Sequence, residues 1–324
     1  MATMHFQAGC FGKLPQHGDF IRHNAGTREM LAFDQWLQQG LLHLKTQLRE
    51  RWEAAYSLAP AYHFLFYADN AERFLTGILF PSHDKAERKY PFWVSVHVER
   101  PTLGEQMMPL VPLIFSPFFA RCLPFCREAR QGLEMREIAA RTEALQMKVT
   151  HNSLPEIRRH NFFLSDTSQA VFWSRLFGRF EDPRKYLLVK NMLEILTPFR
   201  QKELSRLSLG LRFPLAQAAE ELAHSAVFWL QMSFKLLGNP VATPILFWSV
   251  PEREKGAYLY LFFRPPSAKS FLQLIQPEAP SDNICELEKE GADKIALAAR
   301  ALKASYREML EMPEMKLDEM LMRL

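Results

Sequence analysis

Apolar positions along the chain follow two periods, and the change from one to the other marks out its elements. Over 28–57, Leu31, Trp36, Leu37, Gly40, Leu41, Leu44, Leu48, Trp52 and Ala55 recur at steps of three and four, which places them on one stripe of a long helix. Asn24 or Thr27 caps its start and Pro60 ends it. Ahead of it His5–Phe11 reads as a short strand closing at Gly12. Behind it Tyr62–Tyr67, Arg73–Phe80 and Tyr90–Val98 read as strands, the first two joined by ADNAE at 68–72 into an antiparallel hairpin. In the third, Phe92, Val94, Val96 and Val98 face one way and Trp93, Ser95 and His97 the other.

Residues 107–149 read as mainly helical after Pro109, Pro112 and Pro117. Two further helical stretches, Gln169–Phe180 and Lys185–Leu196, are separated by Asp182-Pro183. A strand at Leu207–Phe213 leads into a helix over about 215–237, ended by Gly238-Asn239-Pro240. Strands Pro244–Val250 and Ala257–Phe263 then form a hairpin around PEREKG at 251–256. Helices at 267–275 and 289–311 follow, and a tail at 313–324 carries Met315, Met320 and Met322 beyond Met309 and Met312. It is expected to dock on the chain itself.

Together these elements predict an α/β fold of the α+β type, a mainly antiparallel sheet layered with helices. Three regions are expected: an amino-terminal α/β domain over 1–149, a helical connector over 150–204, and a carboxy-terminal α/β region with its helical tail over 205–324. Strand, long helix and hairpin occur in the same order in both halves, an expectation of duplication that a differing strand order would remove.

Composition adds limits. With 324 residues, 48% of them hydrophobic, the chain can bury a large core. The net charge of +4 is dispersed, and Arg158-Arg159-His160 is too short for a nucleic-acid footprint. No signal segment is read at the start, and the most apolar run, Met107–Cys126, is broken by four prolines and Arg121, so no membrane insertion is expected. Cys10, Cys122, Cys126 and Cys285 form no disulfide framework for a chain of this size, which fits a reducing cytoplasm.

Two loops hold the candidate chemistry. In FGKLPQHGDF, Lys13 precedes the second glycine and no Ser or Thr follows it, so the phosphate-loop order G-x-x-x-x-G-K-[ST] is absent. What remains is a turn bearing Lys13 and Asp19. In PSHDKAERKYPF, Ser82, His83 and Asp84 are consecutive and cannot converge as a hydrolase triad, and no G-x-S-x-G elbow occurs. Asp84 and Arg88 are free to pair with each other or with Asp19 and Lys13 across the sheet end. Cys122 and Cys126 lie one helical turn apart without a second zinc-spaced pair, and no catalytic residue, metal ligand or cofactor is assigned.

The two loops resemble the signature of the TagF (ImpM) family. Its aromatic-Gly-Lys-Leu-Pro start and Gly-Asp-Phe fall on Phe11, Gly12, Lys13, Leu14, Pro15, Gly18, Asp19 and Phe20. Its tryptophan-bearing helix resembles FDQWLQQG around Trp36. Its second pattern falls on Pro81, Ser82, Asp84, Arg88, Tyr90 and Pro91, with Glu87 where many members have glycine. Stretches 244–249, 263–277 and 281–287 resemble the carboxy-terminal part of longer members.

The resemblance implies a cytoplasmic, non-enzymatic accessory protein that restrains the type VI secretion system after translation. It would do so by binding a forkhead-associated scaffold protein of the apparatus. Two other readings are a structural component of the secretion baseplate and a hydrolase using Asp19 and Asp84 around a metal.

Overall fold

The computed structural model describes residues 3–68, 72–150, 155–238, 242–250 and 256–324. The ADNAE and PEREKG links and the Gly238-Asn239-Pro240 stop fall largely outside these residues.

Eleven strands are described. They are β1 (Thr3–Phe6), β2 (Ala8–Gly12), β3 (Ile21–His23), β4 (Tyr62–Phe66), β5 (Arg73–Phe80), β6 (Phe92–Glu99), β7 (Met147–Thr150), β8 (Gly210–Leu215), β9 (Ile245–Ser249), β10 (Ala257–Phe262) and β11 (Ile284–Glu286). Nine of them form one sheet in the order β11-β8-β10-β9-β4-β5-β6-β2-β3, antiparallel except for the β11–β8 pair. β1 and β7 pair separately. The α/β class and the mainly antiparallel sheet are as the sequence predicts, and both hairpins form.

The regions expected at 1–149 and 205–324 meet inside this sheet. β4 pairs antiparallel with β9 from Tyr62↔Ser249 to Leu65↔Leu246, so the sheet and its core are shared. Duplication fails on strand order. Outward from that seam the amino-terminal half runs hairpin, then β6, which follows the hairpin in the chain. The carboxy-terminal half runs hairpin, then β8, which precedes it.

Alternation sets the two faces. Trp93 packs edge-on against Phe33, and Phe64 and Phe247 stack on the same ring, so helix Arg28–Leu48 covers this face. Phe92 meets Phe125, and His63 and Trp248 meet Phe119, so helix Ser116–Gly132 covers the other face. Trp229, on helix Ala219–Leu236, extends that second layer over Phe213. The Met107–Gly132 stretch is long and apolar enough to cross a membrane by composition, and 61% of its most apolar window is buried within the protein. Cys122 and Cys126 sit in this core as small apolar side chains, and all four cysteines are free thiols.

The expected helix over 28–57 ends at Leu48. Arg49 turns to a φ of 49°, and Trp52–Ser57 forms a separate short helix. Of the two cap candidates Thr27 is used: its hydroxyl accepts from the Met30 N–H, and Asn24 instead donates to the Ala8 carbonyl. The expected helix over 289–311 breaks into Ala292–Ala301 and Ala304–Leu310. The methionine tail docks on the chain as expected. Met309, Met315 and Met320 are buried, and the Met315 and Pro313 carbonyls accept from Gln169 and Ala170, the first N–H groups of helix Gln169–Phe177.

Candidate functional site

Strand register explains why the two motif loops meet. Phe92 pairs with both Gly12 and Phe80, so the exits of β2 and β5 and the start of β6 lie at one sheet end. Gly12 is required there. Its φ is +132°, and a Cβ on it would lie 2.1 Å from the Pro91 carbonyl oxygen.

Asp84 is the centre of the cluster. Its carboxylate is fully buried and accepts at every available position: Oδ2 from Lys13 Nζ at 2.8 Å and Arg88 Nε at 2.6 Å, Oδ1 from the Ala86 and Arg88 N–H groups at 2.9 and 3.0 Å. Burial pushes its pKa up, but the bonds from Lys13 and Arg88 together outweigh that and hold the carboxyl well below the usual carboxylate range. Two more bonds tie the loops across: Arg88 Nη2 donates to the Gly18 carbonyl at 2.8 Å, and Lys85 N to the His17 carbonyl at 2.9 Å. Lys13 is itself buried, its ammonium 5.0 Å from the centre of the Phe20 ring.

Of the pairings left open between the two loops, Lys13 pairs with Asp84 and not with Asp19. Asp19 is exposed, and its carboxylate accepts from the neighbouring Phe20 N–H. The two differ in burial: Lys13, one residue past β2, is enclosed against the second loop, whereas Asp19 faces solvent.

The other motif residues frame this cluster. Phe20 packs edge-on against Tyr90, whose hydroxyl donates to the Asp34 carboxylate of the tryptophan-bearing helix. Burial and that carboxylate push the Tyr90 phenol far up. The Ser82 N–H donates to the buried Tyr56 hydroxyl, while Ser82 Oγ is sealed without a hydrogen-bond partner among the described residues. Pro81 and Pro91 flank a small apolar gap shared with Phe271 and Leu274, and Pro15, half-buried, turns the first loop. Trp36 lies apart from the ion cluster. It stacks on Phe247, meets Phe271 edge-on, and donates from Nε1 to the Ser267 carbonyl, holding the carboxy-terminal half against the long helix.

Glu87 explains its own oddity. Its φ is +60°, a backbone conformation in which glycine carries no Cβ penalty.

The hydrolase letters do not converge. His83 Nδ1 lies 3.0 Å from the Asp84 carbonyl and 3.4 Å from Glu87, turned to neither Ser82 nor a substrate cleft. Cations and amides fill the four acceptor positions of Asp84, so in this arrangement it has no free lone pair to share with Asp19 around a metal.

Sequence reasoning missed a second buried ion cluster. Arg212 on β8, fully buried, bonds Glu286 and the Pro277 carbonyl, with Glu288 3.5 Å away and the Tyr258 ring 4.3 Å from its guanidinium. A lone arginine inside an apolar strand, LRFPL, was the available signal.

With the two loops locked on one sheet end, the comparison of sequences is direct. Residues 9–145 match the family model of the TagF N-terminal domain, type VI secretion system-associated. This part of the chain, somewhat under half of it, carries a TagF N-terminal domain. Among curated proteins none matches the sequence. The chain is also similar to the crystal structure of PA0076 from Pseudomonas aeruginosa PAO1, at 15% identity and a TM-score of 0.40, over 85% of this chain and 96% of that one.

Proposed function

We propose that this protein is a non-enzymatic accessory factor of the type VI secretion system. It acts in the cytoplasm and restrains assembly after translation by binding a forkhead-associated scaffold protein. The observation that carries the reading is the TagF N-terminal domain over 9–145, whose family is secretion-associated. The use of Lys13, Asp84 and Arg88 to close the fold agrees with a binding role, because these charges are spent on one another.

The test is a clean deletion paired with co-purification. Secretion of an effector should rise in the deletion strain, and the tagged protein should retain the scaffold from the native host. Unchanged secretion together with an unbound scaffold sinks the proposal. Stoichiometric retention in the purified, assembled apparatus would assign the protein to the baseplate instead.

A further inference from the structure

At the sheet end opposite the motif loops, β8 and β11 begin beside the end of β10, as the registers Leu211↔Leu261 and Gly210↔Ile284 require. The three chain segments there enclose a cleft of about 130 Å³, and its lining is mostly polar. Two stretches of the carboxy-terminal half, 263–277 and 281–287, converge on it.

The lining groups are unspent. Ser270 is 2% exposed, yet its hydroxyl has no hydrogen-bond partner among the described residues and is not sealed from the cleft. The same holds for the more exposed Ser208 and Ser267 hydroxyls and the Asn283 side-chain amide. Arg264 and Asp282 line the cleft with opposite charges, and neither forms an ion pair with any described residue. In the Asp84 cluster, by contrast, the charged side chains are bonded to one another. Here a guanidinium, three hydroxyls and an amide offer donors to one small space, against a single carboxylate.

We propose that this cleft binds a small oxyanion-bearing ligand. A carboxylate or phosphate group would lie against Arg264 and the serine hydroxyls, with a hydrogen-bond donor next to it turned to Asp282. Planar, charge-assisted donation from arginine suits both anions. The inference stands independently of the secretion role, because it concerns the far end of the sheet and needs no scaffold.

Calorimetric titration of the full chain with inorganic phosphate, glutamate and N-acetylglutamate tests it. Saturable binding of phosphate, or of glutamate, supports the site and tells the two sources apart. In either case Arg264→Gln, an exposed change that should leave melting unaltered, should weaken binding about tenfold or more, the loss expected for a charge-assisted bond. Ser270→Ala should weaken it by a smaller factor. If glutamate is the ligand, N-acetylglutamate should bind more weakly to the wild type and equally well to Asp282→Asn. No binding of any probe at millimolar concentration, or binding that Arg264→Gln leaves untouched, overturns the proposal.

Discussion

Asp84→Asn removes one charge from a cluster in which each partner's burial is known, so its cost can be worked out. Lys13 and Asp84 have side-chain exposures of 10% and 0%, and Arg88 of 62%. The exposed guanidinium is screened and contributes at the surface-pair level, below about 1 kcal/mol. Stranding the buried Lys13 ammonium is the larger loss, about 3–5 kcal/mol for one partner removed from a buried pair. Lys13→Met should cost less, because Asp84 keeps Arg88 and two amides. The pH dependence has a definite sign. The folded carboxyl is held below its unfolded value, so its contribution is complete above about pH 4 and is lost as pH falls through the folded value. Urea unfolding followed by tryptophan fluorescence, at neutral pH and at about pH 3, measures both effects. An Asp84→Asn cost below about 1 kcal/mol at neutral pH would refute the reasoning. So would equal acid losses in the variant and the wild type.

Three further outcomes follow from the same geometry. Asp19→Ala should shift stability by no more than about 0.5 kcal/mol, as an exposed position does; if its melting is unchanged but repression is lost, Asp19 belongs to the partner interface. Glu87→Gly should be at least as stable as the wild type and Glu87→Val clearly less stable by thermal melting, since the left-handed backbone costs roughly 1–2 kcal/mol for residues with a Cβ. Gly40→Ala should destabilise, against the usual helix gain of about 0.5–1 kcal/mol, because the new Cβ would lie 2.6 Å from Phe271 Cβ; a Phe271→Ala partner should recover part of the loss in chemical denaturation.

Much of this fold is legible in the sequence. Period-two alternation placed Trp93 and Phe92 on opposite faces correctly, because both faces are covered and each side chain had a partner layer to find. The short strands β7 and β11 were not legible. With four and three residues they carry too little alternation, and their pairing depends on distant partners, β1 and β8. The candidate site was half legible: residue types announced an ion cluster, but only the strand register decides that Lys13 reaches Asp84, 71 positions away, and not Asp19 nearby. Arg212 was missed for the same reason, since Glu286 and Glu288 reach it through the parallel β11–β8 pairing.

The β4–β9 seam bears on what happens when the chain is cut. A piece ending near residue 149 would keep every family-motif side chain and yet lose the neighbour of Tyr62–Phe66, leaving a central strand's amides and carbonyls facing water beside exposed aromatic rings. Such a raw border is a template for self-association. Two copies could satisfy it by laying β4 against β4, since antiparallel pairing of identical strands is compatible with a two-fold axis. In the intact chain the carboxy-terminal half acts as the guard on that border, which makes it a solubility device for the amino-terminal half whatever else it binds.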